Sequence, residues 1–97
     1  MKISDVVKKE VESKINAFNK KNGSQYMAKY RGKFLYLDKY DAHICRLTFT
    51  GDMNNWDFAV YKYSSEKYDP DEWFFPGAGH VDGSIEGAMM AGLELYC

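Results

Sequence analysis

The chain is 97 residues long, 45% apolar, 28% charged and 16% aromatic, with a formal net charge of −1. That length makes a single domain, 1–97, large enough to bury a core and too short for two. The composition excludes a disordered, collagen-like or low-complexity chain, and no apolar run reaches the ~20 residues that a membrane helix needs.

The opening Met1-Lys2-Ile3-Ser4-Asp5 lacks the apolar stretch of a signal peptide. Two cysteines, Cys45 and Cys97, cannot staple a small secreted fold. Both observations predict a cytoplasmic protein with reduced thiols.

Ser4 caps the first helix, with Asp5 in its first turn. Ile3, Val7, Val11, Ile15 and Phe18 recur every three or four residues, and Asn22-Gly23 supplies a left-handed stop. The spacing predicts an amphipathic helix over about 4–22.

β-type residues follow. Gln25–Tyr30 and Lys33–Lys39 flank Arg31-Gly32, which reads as a two-residue hairpin turn. That register sets Ala28 against Leu35 and Tyr26 against Leu37. Tyr40-Asp41 then turns the chain into His43–Thr50, and Gly51–Asn55 turns it into Trp56–Tyr63. These runs predict four antiparallel strands in a meander.

Ser64–Gly83 has no clear period and predicts a long loop, with Trp73-Phe74-Phe75-Pro76 pinning it to the body. Ser84 caps a second helix over about 85–96, with Ile85, Met89, Leu93 and Tyr96 on one stripe. Gly87 and Gly92 each weaken that helix by about 1 kcal/mol unless close packing requires them. The fold class is α+β, ordered α-β-β-β-β-α, with both helices on one face of the sheet.

Alternation divides the strands between two faces. Ala28, Leu35, Leu37, Cys45, Leu47, Phe49, Phe58 and Val60 belong under the helices. Met27, Phe34, Tyr36, Ile44, Tyr61 and Tyr63 fall on the other side, and six large apolar groups there exceed ordinary scattered exposure. They predict a non-enzymatic interaction module that forms a homodimer through this face. The competing expectation is that the 64–83 loop folds over it.

Gly77-Ala78-Gly79-His80-Val81-Asp82-Gly83 precedes a helix, as dinucleotide loops do. Too little chain follows it for a Rossmann unit. What remains is a small-ligand or anion site built from Trp73, Gly77, Gly79, His80, Gly83 and Ser84 at a helix start. No metal site, catalytic residue or cofactor is expected. His43 and Cys45 share a strand face by alternation, but no C-x-x-C or H-E-x-x-H accompanies them. Cys45 faces the core, where a thiolate is disfavoured.

Residues 1–50 carry 11 Lys/Arg against five Asp/Glu, and residues 51–97 carry two against nine. Lys29, Lys33, Arg46 and Lys62 lie among strand aromatics, a combination that nucleic-acid-binding sheets use. The helix–strands–helix order resembles that of double-stranded-RNA-binding domains, with one strand too many. The last helix offers Glu86 and Glu94 where phosphate contacts belong. A nucleic-acid-binding module therefore stands as the second alternative, behind the small-ligand or anion site, and no membrane partner is expected.

Overall fold

The computed structural model describes residues 2–95. Tyr96 and Cys97, assigned above to the second helix and to a terminal thiol, lie outside the described residues. Helix α1 spans Asp5–Asn22. Its start is fixed by the Ser4 hydroxyl, which accepts from the Val7 amide at 3.3 Å. It stops at Gly23, whose φ of +65° is open to glycine at no steric cost. Val11, Ile15 and Phe18 are its buried stripe.

Five strands follow: β1 Tyr26–Arg31, β2 Phe34–Lys39, β3 Ala42–Thr48, β4 Asp57–Lys62 and β5 Lys67–Asp69. They form one antiparallel sheet in the order β1-β2-β3-β4-β5, a simple meander. The expectation of four strands is corrected by β5, a three-residue edge strand inside the predicted loop. Three residues are too few to show a period of two.

The first hairpin differs from expectation by two residues. Arg31 pairs with Phe34 and Ala28 with Leu37, so the turn is Gly32-Lys33, with Gly32 at φ +60°. A two-residue slip preserves the faces, because side chains alternate with the same period.

A second departure does change a face. Leu37 pairs with Cys45, but Asp38 pairs with His43, which leaves Ile44 as the extra residue of a β-bulge. Ile44 and Cys45 consequently both point into the core. Ile44 is 1% exposed and does not belong to the open face. His43 takes the side of the sheet opposite Cys45, so the two do not share a face as alternation predicted.

The second hairpin turns on Tyr40 and Asp41, at φ 51° and 66°. Two positive φ values in a two-residue loop are the type I′ pattern, which favours Asn-Gly. Tyr40→Asn combined with Asp41→Gly is expected to raise stability by about 1 kcal/mol, because Tyr40 is exposed and both φ angles are relieved. Thermal unfolding checks it, and a lowered midpoint would contradict the assignment of the turn.

Helix α2 spans Ile85–Leu95. Its Ile85, Ala88 and Met89 join α1 over Leu35, Leu37, Cys45, Leu47, Phe58 and Val60 in one core. Both helices thus lie on one face of the sheet. The segment between β5 and α2 contains a single 3₁₀ turn, Ala78–His80. The Trp73 and Phe75 rings sit 5.9 and 5.8 Å from Phe58, a core-facing residue. The loop therefore packs on the helix side and leaves the opposite face of the sheet uncovered.

Candidate functional site: the open face of the sheet

Alternation outside the bulge places Lys29, Phe34, Tyr36, Asp38, Arg46, Thr48, Asp57 and Tyr61 on the uncovered face. Tyr68 joins them from β5, opposite Tyr61. Their rings form a continuous chain across the strands. Phe34 is 6.2 Å from Tyr36, Tyr36 is 5.4 Å from Tyr68, and Tyr68 is 4.9 Å from Tyr61. Tyr61 continues to Tyr63 at 4.8 Å and to His43 at 4.9 Å. No neighbouring pair is stacked face to face, since interplanar angles run from 51° to 76°.

Arg46 occupies the middle of this chain. On β3 it lies opposite Tyr36 on one side and Ala59 on the other. Its guanidinium is 4.8 Å from the Phe34 ring and 5.6 Å from the Tyr68 ring. Among the described residues its Nε is buried and has no hydrogen-bond partner. Burial raises the Tyr68 phenol above its ordinary pKa, and the charge of Asp38 adds to the rise.

Asp38 is a buried carboxylate with two neighbours. Lys29 Nζ lies 3.4 Å from one oxygen and His43 Nδ1 lies 3.2 Å from the other. An Asp–His pair is the supporting half of a nucleophilic triad. The thiol that could complete it, Cys45, is on the opposite face, where burial pushes its pKa up. Among the described residues no three His, Cys, Asp or Glu side chains gather closely enough to hold a metal.

Charge is uneven across the sheet: β1 carries Lys29 and Arg31 with no acid, whereas Lys62 and Lys67 balance Asp57 and Asp69 on β4 and β5. At the β1–β2 turn, Lys2, Arg31, Gly32, Lys33, Phe34 and Tyr36 line a depression of about 630 Å³ that contains no carboxylate. Lys2 is brought there by the Ile3 amide, which donates to Gly32 O at 2.9 Å. Beyond the far edge the acids cluster instead. Lys62 lies 3.1 Å from Glu72 and 3.9 Å from Asp69.

Of the residues expected to form an interface, Met27, Phe34, Tyr36, Tyr61 and Tyr63 stand on the open face. Ile44 does not. Alternation had already set Arg46 on the right side, but only the bulge brings in His43 and only β5 brings in Tyr68.

The glycine-rich segment is arranged differently from an anion cradle. Asp82 Oδ1 accepts from the Ser84 amide at 3.0 Å and from its hydroxyl at 2.5 Å. Those bonds hold the Asp82 carboxyl below its usual range. Ser84 Oγ in turn accepts from the Gly87 amide at 2.9 Å. A carboxylate of the chain thus stands at the start of α2, where an external anion would need the same donors. His80 Nε2 is 2.6 Å from Glu94. Trp73 packs on Phe58 and Phe75. Gly77 and Gly83, at φ +92° and +93°, turn the loop on either side of Gly79.

Among the described residues no helix is long and apolar enough to cross a membrane. Comparison with known proteins finds no matching family model, no matching curated protein and no matching solved structure.

Proposed function

We propose that the chain is a non-enzymatic interaction module whose working surface is the open face of the sheet. One observation carries the reading. The ring chain from Phe34 to Tyr63, with Arg46 at its middle, is left uncovered while both helices and the long loop pack on the other side.

A surface kept for binding tolerates groups that do not serve the fold. The partnerless Nε of Arg46 is such a group, since a desolvated donor costs about 1–3 kcal/mol, against ~0.5–1 for each ring contact. Arg46→Met keeps the stem and removes the donor. It is expected to leave the fold intact, with stability unchanged or up to about 1 kcal/mol higher. A loss above about 1 kcal/mol in denaturant unfolding would instead assign Arg46 to holding the sheet together, and would overturn the reading.

A second copy is the second reading for the same face. Met27 favours it, being 65% exposed at the end of the face near Tyr40. Solution mass at roughly 10 and 100 μM tests it against micromolar-scale affinity. Self-association through this face gives twice the 11.2 kDa chain mass, reduced to the monomer by Tyr36→Glu or Phe34→Glu. A monomer at both concentrations removes the second copy as partner.

A further inference from the structure

We infer that the partner of the open face is single-stranded nucleic acid, with phosphates in the basic depression at the β1–β2 turn and bases on the ring chain. The inference rests on the open face being the working surface.

The first support is charge. Lys2, Arg31 and Lys33 surround Phe34 and Tyr36, and none of the three forms an ion pair among the described residues. At about 630 Å³ the depression is within the size range of ligand sites, roughly 300–1,000 Å³. Arg46 continues the cationic line inward onto the sheet. Two carboxylates share this face: Asp38, already engaged by Lys29 and His43, and the exposed Asp57, in line with Phe34 and Thr48 across the strands.

Ring arrangement is the second support. Tyr36, Tyr68 and Tyr61 follow one another at 5.4 and 4.9 Å, tilted by 58° and 69°, so they form a row of rings and not a closed stack. Aromatic side chains beside a cationic groove are the shared solution of proteins that hold single strands. Duplexes do not offer their bases to such rings, because those bases are stacked inside the helix.

Arg46 also weighs against a second copy as occupant. It lies on the middle strand, opposite Tyr36 and Ala59. A two-fold axis through the centre of the face would set one Arg46 against the other, a like-charge contact within an aromatic interface.

The overall charge of −1 pointed away from nucleic acid because it is a sum over the whole chain, whereas Lys2, Arg31 and Lys33 gather at one corner of the sheet. Recognition depends on the local field of the face, not on the sum over the chain.

The test is fluorescence anisotropy of the full chain with labelled thymidine and uridine strands of about 12 nucleotides, within the ~4–16 that one small domain covers. Binding is expected at about 50 mM salt. Three or four phosphate contacts should weaken it roughly 20- to 50-fold by about 200 mM. Arg31→Glu with Lys33→Glu, both on the exposed hairpin tip, should weaken it at least about tenfold. Tyr36→Leu, which keeps an apolar strand residue, should weaken it at least about fivefold through lost stacking.

No binding at roughly 100 μM protein would overturn the inference. So would equal binding of a duplex together with an unaffected Tyr36→Leu variant, which would reduce the face to a general cation patch. If no strand binds and the solution mass doubles, the open face keeps its role and only the nucleic-acid inference fails. If Arg46→Met destabilises the fold, the underlying reading fails as well.

Discussion

Gly92→Ala is expected to cost about 3 kcal/mol of stability and to lower the unfolding midpoint by roughly 10–20 °C. An alanine Cβ at this position would lie 2.1 Å from Tyr26 Oη and 2.8 Å from Ile44 Cγ2. Both are buried, so neither can move into solvent. Tyr26 Oη also donates to Met89 O at 2.7 Å, tying β1 to α2. Overpacking at about 1–3 kcal/mol, with a buried hydrogen bond strained or lost at about 1–3, outweighs the ~1 that alanine returns in helix propensity. Tyr26→Phe removes the nearest obstructing atom. In that background Gly92→Ala should cost at least about 1 kcal/mol less, a coupling that a double-mutant cycle reads directly. Equal costs in both backgrounds would show that the hydroxyl is not what demands glycine.

The same geometry explains why a helix that ends the core carries two glycines. A Cβ on Gly87 would approach His80 O to 2.4 Å and Asp82 Oδ1 to 2.5 Å. Close approach of the loop and of Tyr26 is therefore the reason for both, and the helix accepts the propensity loss. Composition allowed either a weak helix or a tightly packed one. Only the positions of residues distant in sequence, Tyr26 and His80, decide between them.

Local signals were sufficient wherever the determinant lay within a few residues. Helix α1 was readable from Ser4, its apolar stripe and Gly23, and its observed limits agree. The faces of β1 and β2 were readable despite a wrong turn, because a slip of two residues preserves alternation. Tyr68 was not readable as a sheet residue. Its strand has three residues and becomes a strand by pairing with β4, not by pattern. The bulge at Ile44 was equally hidden, since Ile44, Arg46 and Thr48 alternate without fault in the sequence. The candidate surface was legible in Phe34, Tyr36, Tyr61 and Tyr63, whereas the Asp38–His43 pair required the bulge.

Charge behaved in a parallel way. The excess of bases in residues 1–50 and of acids in 51–97 could have cancelled in space. The helices cancel part of it, Lys14 meeting Glu86 at 3.3 Å, while the meander holds β1 at the edge away from the strands of the second half. Lys29 and Arg31 give β1 two bases at one edge, whereas Lys67 balances Asp69 on β5 at the other and Lys62 balances Asp57 on β4. A βαβ crossover or a Greek key would have mixed the same residues. Topology thus decides whether a charge imbalance in sequence becomes a field on the surface.

The bulge sets the second large expected effect. Ile44→Ala should destabilise the fold by roughly 2–5 kcal/mol, the range for a buried isoleucine that leaves a cavity behind. Had strict alternation held, Ile44 would lie on the open face, and its loss would change stability by about 0.5 kcal/mol or less. The two placements therefore differ several-fold in one denaturant experiment. Ile44 is 1% exposed and its Cγ2 lies at the spot that a Cβ on Gly92 would need, so α2 closes directly over it. Ile44→Val tests the cavity origin, because removing one methyl group should cost only about 0.5–1.5 kcal/mol. A charged replacement separates the two faces still more sharply. Ile44→Glu would bury an unpaired carboxylate and should not yield a folded chain, whereas Phe34→Glu, on the half-buried open face, should. If Ile44→Glu folds with stability close to that of Phe34→Glu, the bulge between Leu37 and Asp38 is misplaced. Ile44 would then return to the open face, and His43 would leave Asp38.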